Sequence, residues 1–139
     1  MAGQVSAKGA VIIVDDSAGT PRTISSDCVS YEIEQDAGKI EVTGFGDGSS
    51  NFIPGLPVQG ISLTVKWNTT ATTGARTVLQ GIFLSSTSKT ISITPESGGQ
   101  AFSGEFMLDM LPVSGTPAGD ILLGTVHFSP MGSTAAAWA

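Results

Sequence analysis

The chain has 139 residues, a length that fits one domain, and carries 12 acidic against 6 basic residues for a formal net charge of −6, which excludes a cationic nucleic-acid-binding surface. Its single cysteine, Cys28, excludes an intrachain disulfide framework and a multi-cysteine zinc site. Only 13% of the residues are charged; polarity comes from 17 serines and 15 threonines, and 18 glycines with 7 prolines supply turns, a composition of strands joined by turns.

Taken in chain order, residues 1–9 read as a short N-terminal arm. Met1-Ala2-Gly3-Gln4-Val5-Ser6-Ala7-Lys8 has no apolar signal core, and no run of about eighteen apolar residues exists, so synthesis in a cytoplasm and no membrane span are expected. Ala10-Val11-Ile12-Ile13-Val14 reads as a buried strand that stops at Asp15-Asp16. Between Val29 and Thr43, Tyr31 and Ile33 alternate with Glu32 and Glu34; Asp36-Ala37-Gly38-Lys39 predicts a hairpin turn, after which Ile40 and Val42 resume the pattern around Glu41. Gly44 to Pro57, holding Phe45, Phe52, Ile53 and Leu56, is expected to be a loop, long enough in a compact domain to be an interaction surface. Gly60 to Asn68 is the clearest strand: Ile61, Leu63, Val65 and Trp67 share one face, and Ser62, Thr64, Lys66 and Asn68 the other.

Thr73 to Ser85 departs from period two. Ala75, Val78, Leu79, Ile82 and Phe83 recur at three and four, and Thr73 is placed to cap, so one helix is predicted there, held by packing because Gly81 weakens it by about 1 kcal/mol. Further strands are expected at Thr90 to Thr94, at Ala101 to Leu111 with a bulge or close approach at Gly104, and at Asp120 to Phe128 with a bulge at Gly124. Residues 131–139 are expected to be a flexible tail, either a frayed end or a strap docking Trp138 on a neighbouring subunit.

Catalytic chemistry finds little support. His127, the sole histidine, falls within a predicted strand, and no Gly-x-Ser-x-Gly turn appears. Cys28 follows Asp27, whose charge raises a thiol pKa. Gly44-Phe45-Gly46-Asp47-Gly48 is not followed by Gly-Lys-Ser/Thr, Asp15-Asp16-Ser17-Ala18-Gly19 lacks the spaced ligands of a calcium loop, and Asn68-Thr69-Thr70 matches the glycosylation triplet by chance. No catalytic residue, cofactor or metal is therefore assigned, and no enzyme activity is expected. The acids are uneven: Asp15, Asp16, Asp27, Glu32, Glu34, Asp36, Glu41 and Asp47 lie within 33 residues, against Arg22 and Lys39. They read as a solvated sheet face or as an anionic wall that would repel a polyanion.

The order of Asp16-Ser17-Ala18-Gly19-Thr20-Pro21-Arg22-Thr23-Ile24-Ser25, Ile40-Glu41-Val42-Thr43-Gly44-Phe45-Gly46-Asp47, Phe52-Ile53-Pro54-Gly55-Leu56 and Gly60-Ile61-Ser62-Leu63-Thr64-Val65-Lys66-Trp67-Asn68, followed by Ala101-Phe102-Ser103-Gly104-Glu105-Phe106, resembles the tail tube (major tail) proteins of long-tailed bacteriophages. The resemblance covers most of residues 10 to 130. It implies a mainly β fold of two packed antiparallel sheets, a β-sandwich or barrel, with one flanking α-helix. It also implies a structural virion protein whose copies form hexameric rings stacked into a tube, through which DNA passes during ejection without specific binding. In that setting Glu32, Glu34 and Glu41 are candidate channel-lining residues, and Phe45, Asp47, Phe52, Pro54 and Leu56 are a candidate subunit interface. The implied partners are further copies of the chain and the tail terminator, tape measure and baseplate or tip proteins; the implied location is the virion tail, assembled in the bacterial host cytoplasm. The alternatives are a phage capsid decoration or head-tail adaptor protein, and a monomeric β-sandwich carbohydrate-binding module.

Overall fold

The computed structural model describes residues 9–96, 98–115, 117 and 121–139. The N-terminal arm, but for its last residue, and the Asp120 start of the last predicted strand lie outside the described residues. The strands are β1 (Val11–Asp15), β2 (Pro21–Thr23), β3 (Cys28–Glu41), β4 (Phe52–Lys66), β5 (Lys89–Thr94), β6 (Phe102–Met110), β7 (Ser114–Gly115), β8 (Ile121–Pro130) and β9 (Ala137–Trp138), with one helix, α1 (Ala75–Ile82), between β4 and β5. Among the described residues, the mainly antiparallel architecture with a single α-helix is the one expected. The strands share one ladder, in the order β2-β1-β5-β6-β8-β4-β3, with β7 added on β8 and β9 on β6. Hydrogen bonding thus joins all of these strands without a break. Twisted strands let such a sheet curl on itself: Ile12 and Val14 near one edge belong to the same buried cluster as Ile61, Leu63 and Val65 near the other.

Alternation sets which side of each strand enters that cluster. Ile91 and Ile93 of β5, Phe102, Phe106 and Leu108 of β6, and Val126 and Phe128 of β8 point inward, and the intervening residues face water. The helix adds Ala75, Val78, Leu79 and Ile82. Burying each of the three larger side chains contributes about 1.5–3 kcal/mol, which holds a helix of two turns that propensity alone would not. It is shorter than the predicted span, and Thr73 does not cap it. Gly74 occupies the N-cap without a side-chain bond. The carboxylate of Asp27, just before β3, instead accepts the Ala75 N–H at 3.2 Å and the Asn68 amide at 2.9 and 3.0 Å.

Between residues 28 and 66 the structure differs from the sequence reading. No turn forms at Asp36-Ala37-Gly38-Lys39: β3 runs straight through it, and β4 begins at Phe52, within the predicted loop. The register slips between Ala37 and Lys39, whose partners are Pro57 and Pro54, so β4 carries an extra residue there. Gly38 serves close approach, since a Cβ on it would lie 2.8 Å from the Leu56 carbonyl oxygen. Pro54, Gly55 and Pro57 look like loop residues, yet this half of β4 pairs with β3 alone, and a strand with a free edge tolerates prolines.

Both glycine expectations in the later strands are met. Gly124 sits at φ +69° where the β4–β8 register slips. Gly104 keeps regular pairing with Ile91 and is a point of close approach. The C-terminal residues pair within the chain: β9 joins β6, Trp138 opposite Phe102 and Ala137 opposite Ser103.

Candidate functional site

The outward side of the sheet is polar and acidic. On β3, Glu32, Glu34 and Asp36 alternate with the partly buried Tyr31 and Ile33. Glu32 stands opposite Ser62 of β4, which in turn stands opposite His127 of β8. His127 Nδ1 lies 2.9 Å from Asp109 Oδ1, and the Ser129 hydroxyl donates to Asp109 Oδ2 at 2.7 Å. Burial acts to raise the Asp109 carboxyl, but the hydrogen bonds from Ser129 and His127 outweigh it and the net direction is down. Glu105 accepts from Ser88 at 2.9 Å and from Thr90, and Asp15 Oδ2 accepts the Thr90 N–H. Among the described residues, Lys66 at the end of β4 is the cation that alternation places on this face.

This surface draws on the predicted acidic stretch only in part. Asp16 closes its own turn: it accepts the N–H groups of Ala18 and Thr20 and pairs with Arg22 at 2.9 Å, and the Thr20 bond foremost, then Arg22, hold its carboxyl below the usual range. Asp27 serves the helix, and Asp47 accepts the Gly44 N–H at 2.7 Å within the β3–β4 turn. Glu41 parts from Glu32 and Glu34: on an uninterrupted strand it falls on the opposite face. Glu105 and Asp109, both far downstream, join the surface. Their alternation with Phe106 and Leu108 was visible in the sequence, but not which strands flank β6.

A second feature is the end of the β3–β4 hairpin. Beyond the opposed pair Gln35 and Gln59 the two strands pair only with each other, so residues 36–58 form a two-stranded arm about 17 Å long from Asp36 to Glu41. Residues 42–51 form its tip. Val42 N–H donates to the Asn51 carbonyl and Asn51 N–H to the Thr43 hydroxyl, each at 2.8 Å. Phe45 is fully exposed and Leu56 is 88% exposed; Ile40, Val42, Phe52, Ile53 and Val58 are exposed as well. Lys39 covers the Phe52 ring at 4.7 Å. The candidate interface residues Phe45, Asp47, Phe52, Pro54 and Leu56 therefore all lie on one projecting ribbon. A two-stranded ribbon with both faces in water is marginally stable alone, and this one exposes a run of apolar side chains.

Cys28 is half-buried, and its thiol is pushed up to about 12 by burial first and by Asp27 second. It is a poor nucleophile.

No protein-family model matches the sequence, and no curated protein matches it. Solved structures do. A chain in the virion of a native gene transfer agent particle is similar at a TM-score of 0.77 and 17% identity, with 99% of each chain covered. A chain in the tail of an empty gene transfer agent particle, refined helically with C6 symmetry, is similar at a TM-score of 0.76 and 18% identity, covering 96% of this chain and 99% of that one. From end to end, this chain has the fold found in the tail of a gene transfer agent particle.

Proposed function

We propose that the chain is the repeating subunit of a phage-type tail tube: a structural virion protein, without bond chemistry, whose copies close into hexameric rings that stack into a conduit for DNA ejection. The observation that carries this reading is the end-to-end likeness to chains of a virion and of a C6-symmetric tail. The surfaces fit it. Closing six sheets edge to edge removes the free edges at β2 and β3. The acidic outward face, with Glu32 and Glu34 on it, lines the channel and repels the DNA backbone weakly at every level, so that DNA slides without specific binding. The apolar arm reaches a neighbouring copy in an open-ended contact, the kind that builds a filament. Tail terminator, tape measure and tip proteins meet the tube at its ends and interior, and the tube is assembled in the bacterial host cytoplasm.

Negative-stain microscopy of the purified protein, with and without an assembly seed, tests the proposal. Rings or tubes about 100 Å wide are expected for six domains of this size. A strict monomer under all conditions, absent from virions, overturns it.

A further inference from the structure

The hairpin arm leaves the body at one register step, Gln35 opposite Gln59, and both glutamines of that step hold the same segment. The Gln59 amide donates to the Ala136 carbonyl at 2.9 Å and accepts the Ala136 N–H at 2.8 Å, so it pairs with the C-terminal backbone as a neighbouring strand would. Gln35 Oε1 accepts the Trp138 indole N–H at 3.3 Å. On its other side the segment is tied to β6: Phe102 and Ser103 pair with Trp138 and Ala137, and Ala101 and Ala139 exchange backbone hydrogen bonds at 2.9 Å. The Trp138 ring packs beside that of the fully buried Phe102, centroids 5.2 Å apart. After β8 ends, β9 thus lies along β6 where β8 would have continued, with β4 across from it.

We propose that β9 is a clamp on the root of the hairpin arm: through Gln59 and Gln35 it fixes the direction in which residues 36–58 project, and opening it frees the arm while the body stays folded. The contact has the makeup of a releasable strap. Its strand is two residues long, Trp138 is 40% exposed, and its ties to the arm side are side-chain hydrogen bonds, each of modest net worth in water. β6 pairs with β5 and β8 through registers of their own. A segment held this weakly is where local opening at low free energy occurs. The clamp is a property of the isolated chain, so it stands or falls separately from the tube reading.

Spin labels on F45C at the arm tip and Q80C on the exposed side of α1 report the test in the monomer as a distance distribution. Gln59→Ala, Trp138→Ala and removal of residues 135–139 are each expected to widen it by about twofold, with amide protection of Phe106 to Leu108 unchanged. The point variants keep the test open if the truncated chain fails to fold. An unchanged width in all of them overturns the clamp. So does widening accompanied by lost protection throughout the body, since β9 would then be a general part of the core.

Discussion

Gly104 and Ala136 approach so closely that a Cβ on residue 104 would lie 2.5 Å from the Ala136 Cβ and 2.8 Å from its Cα. Neither atom can swing away as the end of a long side chain can. Gly104→Ala should therefore lower stability by about 1–3 kcal/mol and displace β9 first. The check is amide exchange at Ala136 to Ala139, which should accelerate well before that of β5.

Gly124→Ala is expected to act through the backbone. At φ +69° an L side chain is strained, and its Cβ would also meet Pro112 Cγ at 3.2 Å, so a loss of about 1–2 kcal/mol is expected. Urea unfolding measures it. A neutral result would mean that the bulge can rebuild its register without a left-handed residue.

Acid should remove stability in a window that Asp109 defines. Its carboxyl is lowered in the folded state from an ordinary 3.8, so the unfolded chain binds more protons and stability rises with pH across that range. The contribution is complete above the ordinary value and is lost as pH falls through the lowered one. Asp109→Asn lacks it. The gap in urea midpoint between the two proteins should be open at about pH 5 and should close as pH falls below the ordinary carboxylate range.

Which parts of the fold could be read ahead depended on whether a residue's role was local. Gly60 to Asn68 alternates cleanly because one face meets the core, and Gly124 betrayed its bulge because the alternation changes phase beside it. The arm was hidden by Pro54, Gly55 and Pro57, which mark a loop unless one knows that the strand has no second partner. Asp36 to Lys39 spelled a turn, yet Gly38 is there for close packing against Leu56. The acidic surface was half legible: Glu32 and Glu34 follow from alternation within β3, whereas Asp109 and His127 meet only because β6 and β8, unassigned as neighbours by any local pattern, lie side by side.

The two faces of β3 give a contrast between charge reversals. If the outward face lines the channel, Glu32→Lys and Glu34→Lys should slow DNA release by about tenfold at low salt, with recovery as salt rises. Glu41→Lys, on the other face of the strand, should release DNA as the parent does. Equal effects at Glu34 and Glu41, read by dye uptake during triggered ejection, would reject the assignment.

The arm predicts a separation of folding from assembly. Phe45 and Leu56 are exposed in the monomer, so Phe45→Asp and Leu56→Asp should change its stability by no more than about 0.5 kcal/mol while abolishing tubes. Sedimentation and thermal melts on the same samples read both halves. Normal tubes from both variants would show that the ribbon is not a subunit contact.

The state of Cys28 makes the chain chemically addressable. With the thiol pushed up to about 12 by burial and Asp27, its thiolate fraction near neutral pH falls far below that of an exposed cysteine, and with it the rate of maleimide addition. A cysteine introduced at Phe45, at Glu34 or in the tail will therefore react alone, with the native thiol left in place. Dyes, crosslinkers or blocking groups can thus be set one per chain on a chosen face without altering the core.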